Sequence, residues 1–395
     1  MTATTSDTDS FGARVRNAVL WRSGSQIVAQ LVMWSATFFV IRLLAPSDYG
    51  VFAMSQSILV MFSLLNGYGF ASALIQAETI NDREIRQVFG LLLLLNGLIA
   101  LLQVALAPLA ADYFNQPIVT DMLRVQALLY LSTPFVALPT ALLSRTMDFR
   151  KQAQVNFISA LAGAATALTL ALTGFGVWTL VIAPLVLFWT RAIGMTVAAR
   201  LLVLPSFRFE GAGAAIRFGG AMTLSQLLWF VQTQADVFIG GRLLAPHLLG
   251  LYTTSLFLAQ ILTSKFIPPL NEVAFTAYAR LQSDPAAIVR SFETSTRIIM
   301  LVALPFYAGL AITAEPLVHA ILGEQWMEAV PIVRILALAM PFVTLQILFA
   351  PAATAMGRPR IQVYAAAAGA IVMPVAFLIG VRWGPIGLAW AWLFA

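Results

Sequence analysis

Runs of apolar residues close to the ~20 needed to cross a bilayer recur along the chain, broken by short clusters of Arg, Lys, Asp, Gly and Pro. They predict helical spans at 18–41, 49–70, 88–111, 123–144, 155–174, 177–198, 216–240, 248–268, 297–314, 332–353, 361–381 and from 385 onward. The run after Gly384 rises only roughly 18 Å through a hydrocarbon core of ~30 Å. The twelfth helix is therefore expected to be incomplete, and the chain a fragment or a truncated gene product.

The pattern also repeats. Arg42-Leu43-Leu44-Ala45-Pro46, followed by Gly50, returns 200 positions later as Arg242-Leu243-Leu244-Ala245-Pro246, followed by Gly250. Upstream, Arg22, Gly24 and Trp34 align with Arg217, Gly219 and Trp229. Arg124 and Arg334 open the fourth span of each half, and Pro134-Phe135-Val136 and Pro341-Phe342-Val343 lie within it. Gly176 and Gly387 enter the sixth. Six spans per half is an even number, so both copies start on the same side of the membrane. The halves are then parallel repeats about an axis along the membrane normal, the pattern of a two-lobed transporter. The expected organisation is a cytoplasmic segment 1–17, an N-terminal six-helix lobe 18–198, a cytoplasmic linker 199–215 and a C-terminal lobe 216–395. The fold class is all-α and polytopic, two parallel-repeat six-helix bundles.

Composition narrows the reading. Only 10% of residues are charged and 60% are hydrophobic, where a soluble domain carries about 25% charge. The chain has no cysteine, which removes disulfides and thiol ligands. Its net charge of +6 comes from Lys and Arg scattered through short loops, which reports topology and points to no nucleic-acid partner. With the N-terminus inside, seventeen Lys and Arg fall on the inner side. Five (Arg42, Arg124, Arg242, Arg334 and Arg382) fall outside, and Arg191 lies within a span. That is the positive-inside bias of a multi-pass membrane protein with a cytoplasmic N-terminus.

Catalytic patterns are missing. No Gly-x-x-x-x-Gly-Lys-Ser/Thr loop is present for ATP, and the two histidines, His247 and His319, sit at outer edges. No His, Asp and Glu set has metal spacing. The outer loops, near 112–122 and 315–331, are too short for an enzymatic domain. The longest inner segment, 269–296, holds an amphipathic stretch between Ala286 and Phe292 and reads as a surface helix joining the eighth and ninth spans. No catalytic residue, metal or cofactor is expected.

Charges in apolar context are the candidate site residues. Asp236 lies in the seventh span, where an ionised carboxylate must face a cavity or a partner. It is either an ion or proton site or half of a structural pair with Arg242. Arg191, inside the sixth span, either snorkels to the inner headgroups or lines a central cavity. Arg22, Lys265 and Arg297 lie at the inner ends of the first, eighth and ninth spans. Topology accounts for each, and convergence on an anionic headgroup is the alternative, since guanidinium donors match phosphate oxygens in pairs. Lys265 precedes Pro268-Pro269, where a broken helix could aim it inward. Gln26, Gln30 and Gln226 are candidate polar cavity residues; interhelical hydrogen bonding is their other reading.

Arg42–Gly50, Arg242–Gly250, the preceding Ala235-Asp236, and Pro269-Leu270-Asn271-Glu272-Val273-Ala274-Phe275 with Ala279-Arg280-Leu281-Gln282 together resemble the polysaccharide transporter family. These are O-antigen, capsule and exopolysaccharide flippases of the multidrug/oligosaccharidyl-lipid/polysaccharide superfamily. Thr276 departs from the proline that many relatives place after the aromatic residue. The resemblance implies a V-shaped pair of lobes around a basic cavity. It also implies alternating-access transfer of an undecaprenyl-pyrophosphate-linked oligosaccharide, with glycan polymerase and assembly proteins as possible partners besides membrane lipid. Arg22, Arg191, Lys265 and Arg297 are the candidates for the pyrophosphate. The competing readings are a cation-coupled multidrug-type exporter and a non-transporting scaffold of a glycan assembly complex.

Overall fold

A computed structural model of the chain describes residues 28–67, 69–71, 74, 80–146, 148–201, 203–207, 230–282, 284–357 and 360–395. The described residues form helices and turns, with no strand among them. In chain order the helices are α1 (Val28–Leu43), α2 (Pro46–Ser63), α3 (Asp82–Phe114), α4 (Ile118–Gln126), α5 (Leu128–Arg145), α6 (Phe149–Leu172) and α7 (Trp178–Ala198). They continue with α8 (230–243), α9 (Pro246–Ala259), α10 (Ile261–Lys265), α11 (Ile267–Arg280), α12 (Pro285–Ile312), α13 (Ala314–Ile321), α14 (Val330–Ala355), α15 (Arg360–Gly380) and α16 (Gly384–Phe394). Seven helices or joined helices among the described residues are long and apolar enough to cross a membrane.

The polarity of these helices is inverted relative to a soluble protein. On α3, Leu101 is 70% exposed while Gln103, two residues on, is fully buried. Exposed leucines and valines on α3 and α12 suit lipid, and several buried polar side chains are bonded inside. Gln103 donates from Nε2 to the Leu123 carbonyl at 2.8 Å, and its Oε1 lies 2.8 Å from the Tyr130 hydroxyl. Asn96 donates to the Asn66 carbonyl at 2.9 Å. A polar side chain in an apolar bundle has to find such a partner. The chain is a multi-pass membrane protein.

The described residues divide into two compact units. One runs to Leu44 and resumes at Ile58 through Phe207; the other holds Ala45–Ser57 and the chain from Phe230 onward. In the first, α3, α5 and the segment that follows α7 share a core with Phe89, Leu92, Leu138 and Leu201. Phe89 meets Phe135 edge to face, ring centroids 5.5 Å apart. In the second, α14 is the central helix, packed on α9, α11, α12 and α16. Val333, Leu336, Ala337 and Met340 are fully buried along it.

The same local devices recur in both units at a constant offset. Gln152 of α6 donates from Nε2 to the Thr140 carbonyl (3.3 Å) and the Ser144 hydroxyl (3.0 Å) of α5. Gln362 of α15 donates to the Ala350 carbonyl and, at 2.6 Å, to the Thr354 hydroxyl of α14. Every residue in the second set is 210 positions after its counterpart. Thr146 and Met356 then cap α5 and α14 with bonds to carbonyls at matching positions, Leu142 and Ser144 against Ala352 and Thr354. Gly174 and Gly384 both turn the chain at positive φ, 79° and 71°. Earlier in each half the offset is 200 for the Arg-Leu-Leu-Ala-Pro phrase. It is 203 for the N-caps Asn81 and Asp284, whose side chains accept from the backbone N–H three residues on. The two Pro-Phe-Val triplets lie in α5 and α14, three residues out of the register that the glutamines set.

Several spans differ from the sequence reading. The third is longer, because the Asn81 capping box with Glu84 starts α3 at Asp82. The eighth is broken into α9, α10 and α11. Pro268 and Pro269 lack the N–H that would continue the ladder, so a new helix begins at Ile267. The stretch after Ala286 is no separate surface helix; it is the first turns of α12, which runs unbroken from Pro285 to Ile312. Nothing in that stretch interrupts helical backbone bonding before Pro305.

Candidate functional site

Asp236 is the one charged side chain that is fully buried among the described residues. It sits on α8, and α9 turns back from it through the extended Ala245 and Pro246 at the helix start. That turn brings Tyr252 alongside. The Tyr252 hydroxyl donates to Asp236 Oδ2 at 2.7 Å, and the Val237 N–H donates to Oδ1 at 2.8 Å. The indole N–H of Trp392 on α16 donates to the Tyr252 oxygen, also at 2.7 Å. Trp392, Tyr252 and Asp236 thus form a chain of bonds across three helices, each polarising the next. One turn before Asp236, the Gln232 amide packs on Gly369 of α15, where a Cβ would come within 2.6 Å of it.

Asp236 takes its bonds from a phenol and a backbone amide, not from Arg242, which is exposed at the end of α8. Both carboxylate oxygens already face donors. Among the described residues no group of three His, Cys, Asp or Glu is placed to hold a metal. What the chemistry here does is hold a buried carboxylate with neutral donors.

Arg191 lies on α7 in the first unit, half-buried, with its guanidinium carbon 5.7 Å from the Phe188 ring centre, within cation–π range. Lys265 ends α10 and Arg297 lies within α12, both exposed and both in the second unit. Gln30 on α1 is partly buried. Arg22, Gln26 and Gln226 lie outside the described residues. Tyr252 and Trp392 do not stand out in the sequence. Tyr252, sixteen residues from Asp236 across a Pro turn, carries a faint hairpin signal; Trp392, 140 residues from Tyr252, carries none.

Residues 39–331 match the model of a family described as polysaccharide biosynthesis protein. The chain belongs to this family. Among its relatives is the succinoglycan biosynthesis transport protein ExoT of Rhizobium meliloti, 26% identical over 352 residues, which cover 89% of this chain and 71% of that one. The lipopolysaccharide biosynthesis protein WzxC of Escherichia coli is 22% identical over 75% of this chain and 60% of its own length. The teichuronic acid biosynthesis protein TuaB of Bacillus subtilis is 23% identical, over 83% and 68%. This polysaccharide biosynthesis family member thus spans 60 to 71% of the length of these three relatives.

Its fold is shared with solved structures. The lipid II flippase MurJ in an inward closed conformation superposes with a TM-score of 0.75, at 13% identity, over 94% of this chain and 84% of that one. An inward-facing multidrug resistance MATE transporter of the MOP superfamily gives 0.68 at 14% identity, over 95% and 93%. The polysaccharide family member therefore has the all-helical flippase fold.

Proposed function

We propose that this chain moves a lipid-linked oligosaccharide from the inner to the outer leaflet of a bacterial cytoplasmic membrane, by alternating access and without catalysis. The observation that carries this reading is the family match over residues 39–331 on a fold that a lipid II flippase shares. The internal repeat supports it, since two like-oriented halves can rock about a shared axis. Under this reading the moving bodies are the lobes 18–198 and 216–395, with the N-terminus cytoplasmic as the Lys and Arg distribution favours.

The substrate carries an undecaprenyl pyrophosphate. Its sugar needs a polar path, its isoprenoid tail can stay in lipid, and its pyrophosphate needs cations. Arg22, Arg191, Lys265 and Arg297 are the candidates for that charge, with Gln26, Gln30 and Gln226 along the polar path. A glycan polymerase and assembly proteins act on the delivered product. The test is deletion in a strain without a paralogue. Inner-leaflet lipid-linked repeat units should accumulate, and unchanged glycan export would overturn the reading.

A further inference from the structure

The two copies of the Ala-Pro-x-x-x-Gly phrase meet in the second unit, where α2 and α9 cross at their first turns. A Cβ built on Gly50 would land on the Pro246 carbonyl, and one on Gly250 would land on the Pro46 carbonyl. The backbones touch there without side chains between them. Main chain therefore rests on main chain at this crossing, and whatever touches both helix starts governs how readily they part.

The turn Glu324–Ala329 is placed to do so. Its chain reverses at Gly323, with φ 98°, a conformation only glycine enters freely. The turn then drives Trp326 into the interior, where it is fully buried. Trp326 meets Tyr49, the residue before Gly50, edge to face, with ring centroids 5.5 Å apart and planes at 75°. Two residues on, Glu328 lies 3.5 Å from His247, which follows Pro246. One short turn therefore holds the helix start from the first repeat by an aromatic contact and its counterpart from the second by a histidine–carboxylate contact.

We propose that Glu324–Ala329 is a clasp that keeps the α2–α9 crossing shut. The inference rests on the alternating-access reading above: a transporter whose halves rock must open at least a single helix crossing, and here one turn touches both helix starts. Trp326 is a positioning residue that acts through Tyr49 and touches no substrate.

The chain has no cysteine, so one introduced thiol reports cleanly. Ser55→Cys places it on α2, fully buried and about a turn and a half below Gly50. Ser159→Cys, fully buried on α6 of the first unit, is the control. Intact cells are treated with a membrane-impermeant maleimide. Trp326→Ala should speed labelling of Ser55→Cys roughly ten-fold through more frequent opening, while Ser159→Cys labels as before. Trp326→Phe, which keeps a ring against Tyr49, should return most of the protection. Glu328→Gln should give a smaller acceleration, of roughly two-fold. Because Glu328 is exposed, that variant carries the test if Trp326→Ala does not reach the membrane. Unchanged Ser55→Cys labelling in the variants that insert overturns the clasp, as does equal acceleration at Ser159→Cys. Labelling is read without any glycan, so a clasp that fails with export intact leaves the proposed function standing. A clasp that responds in a chain whose deletion spares export removes that function alone.

Discussion

Gly50 and Gly250 face one another across the α2–α9 crossing, and a Cβ added to either would strike a proline carbonyl of the opposite helix. Their relation is reciprocal: Gly50 is set against Pro246, Gly250 against Pro46. Either Gly→Ala change must push two backbones apart, since no flexible side chain is there to yield. The expected loss is about 1–3 kcal/mol for each variant. The double variant should lose less than the total of the two, because the first displacement makes room for the second methyl. Thermal unfolding of the purified protein in detergent measures both.

The Asp236 network makes a different prediction. Tyr252→Phe removes the donor to Oδ2 and leaves the Trp392 indole N–H without its acceptor, which should cost about 1–3 kcal/mol. Asp236→Asn has its own cost: with the amide oxygen kept toward the Val237 N–H, the NH2 faces the Tyr252 hydroxyl, which must then accept and turn its own proton away from the acceptor it now has. Each variant should lower the level of protein in the membrane, and the pair should be less than additive. Immunoblots of membrane fractions check this. Export that falls at a normal protein level would give Asp236 a role in transport itself.

The matched glutamines can be compared directly. Gln152→Leu and Gln362→Leu each remove an amide that bridges two positions one turn apart on the preceding helix. Each should cost about 1 kcal/mol, with the double variant additive because the partners are separate. Melting curves of the two single variants and the double test this.

Arg191→Ala should reduce glycan export at a protein level near wild type, and Arg191→Lys should keep a fraction of it, since a lysine retains charge but loses the paired donors. Assays of cell-surface glycan against membrane protein level separate the two effects.

At the start of α6, the Lys151 ammonium beside Asp148 (2.7 Å) holds its carboxyl below the usual carboxylate range, with help from the Lys151 backbone N–H. A lowered carboxyl contributes stability that is present above its unfolded value and is lost as pH falls through the folded one. The first turn of α6 should therefore fray in acid, and Asp148→Ala should fray it at neutral pH by about 1 kcal/mol, the usual value of an N-cap. Hydrogen exchange of residues 149–153 at several pH values checks the sign.

The helices are legible because apolar length is a direct physical requirement of the bilayer, and each predicted span within the described residues meets a helix. Their ends are less so. The break at Pro268-Pro269 is visible, yet the extra stop at Gln260, where α9 gives way to α10, has no Gly or Pro to announce it. The first turns of α12 read as separate in the sequence because Ser291, Glu293 and Arg297 interrupt the apolar run, and polarity alone does not end a helix. The repeat shows in the sequence as one phrase and scattered echoes; the glutamine bridges fix its register, and they emerge only where side chains meet. Asp236 is conspicuous because a carboxylate in an apolar run stands out. Its partners, an ordinary tyrosine and tryptophan, do not.

Where main chain rests on main chain, no neighbour can change to accommodate a substitution. Elsewhere in the duplication a larger side chain in one copy can be met by a smaller one opposite, and the two copies are free to drift apart. At the glycine crossing that freedom is gone for both copies at once. This gives a mechanical reason why one short phrase still reads the same twice while the helices around it have diverged.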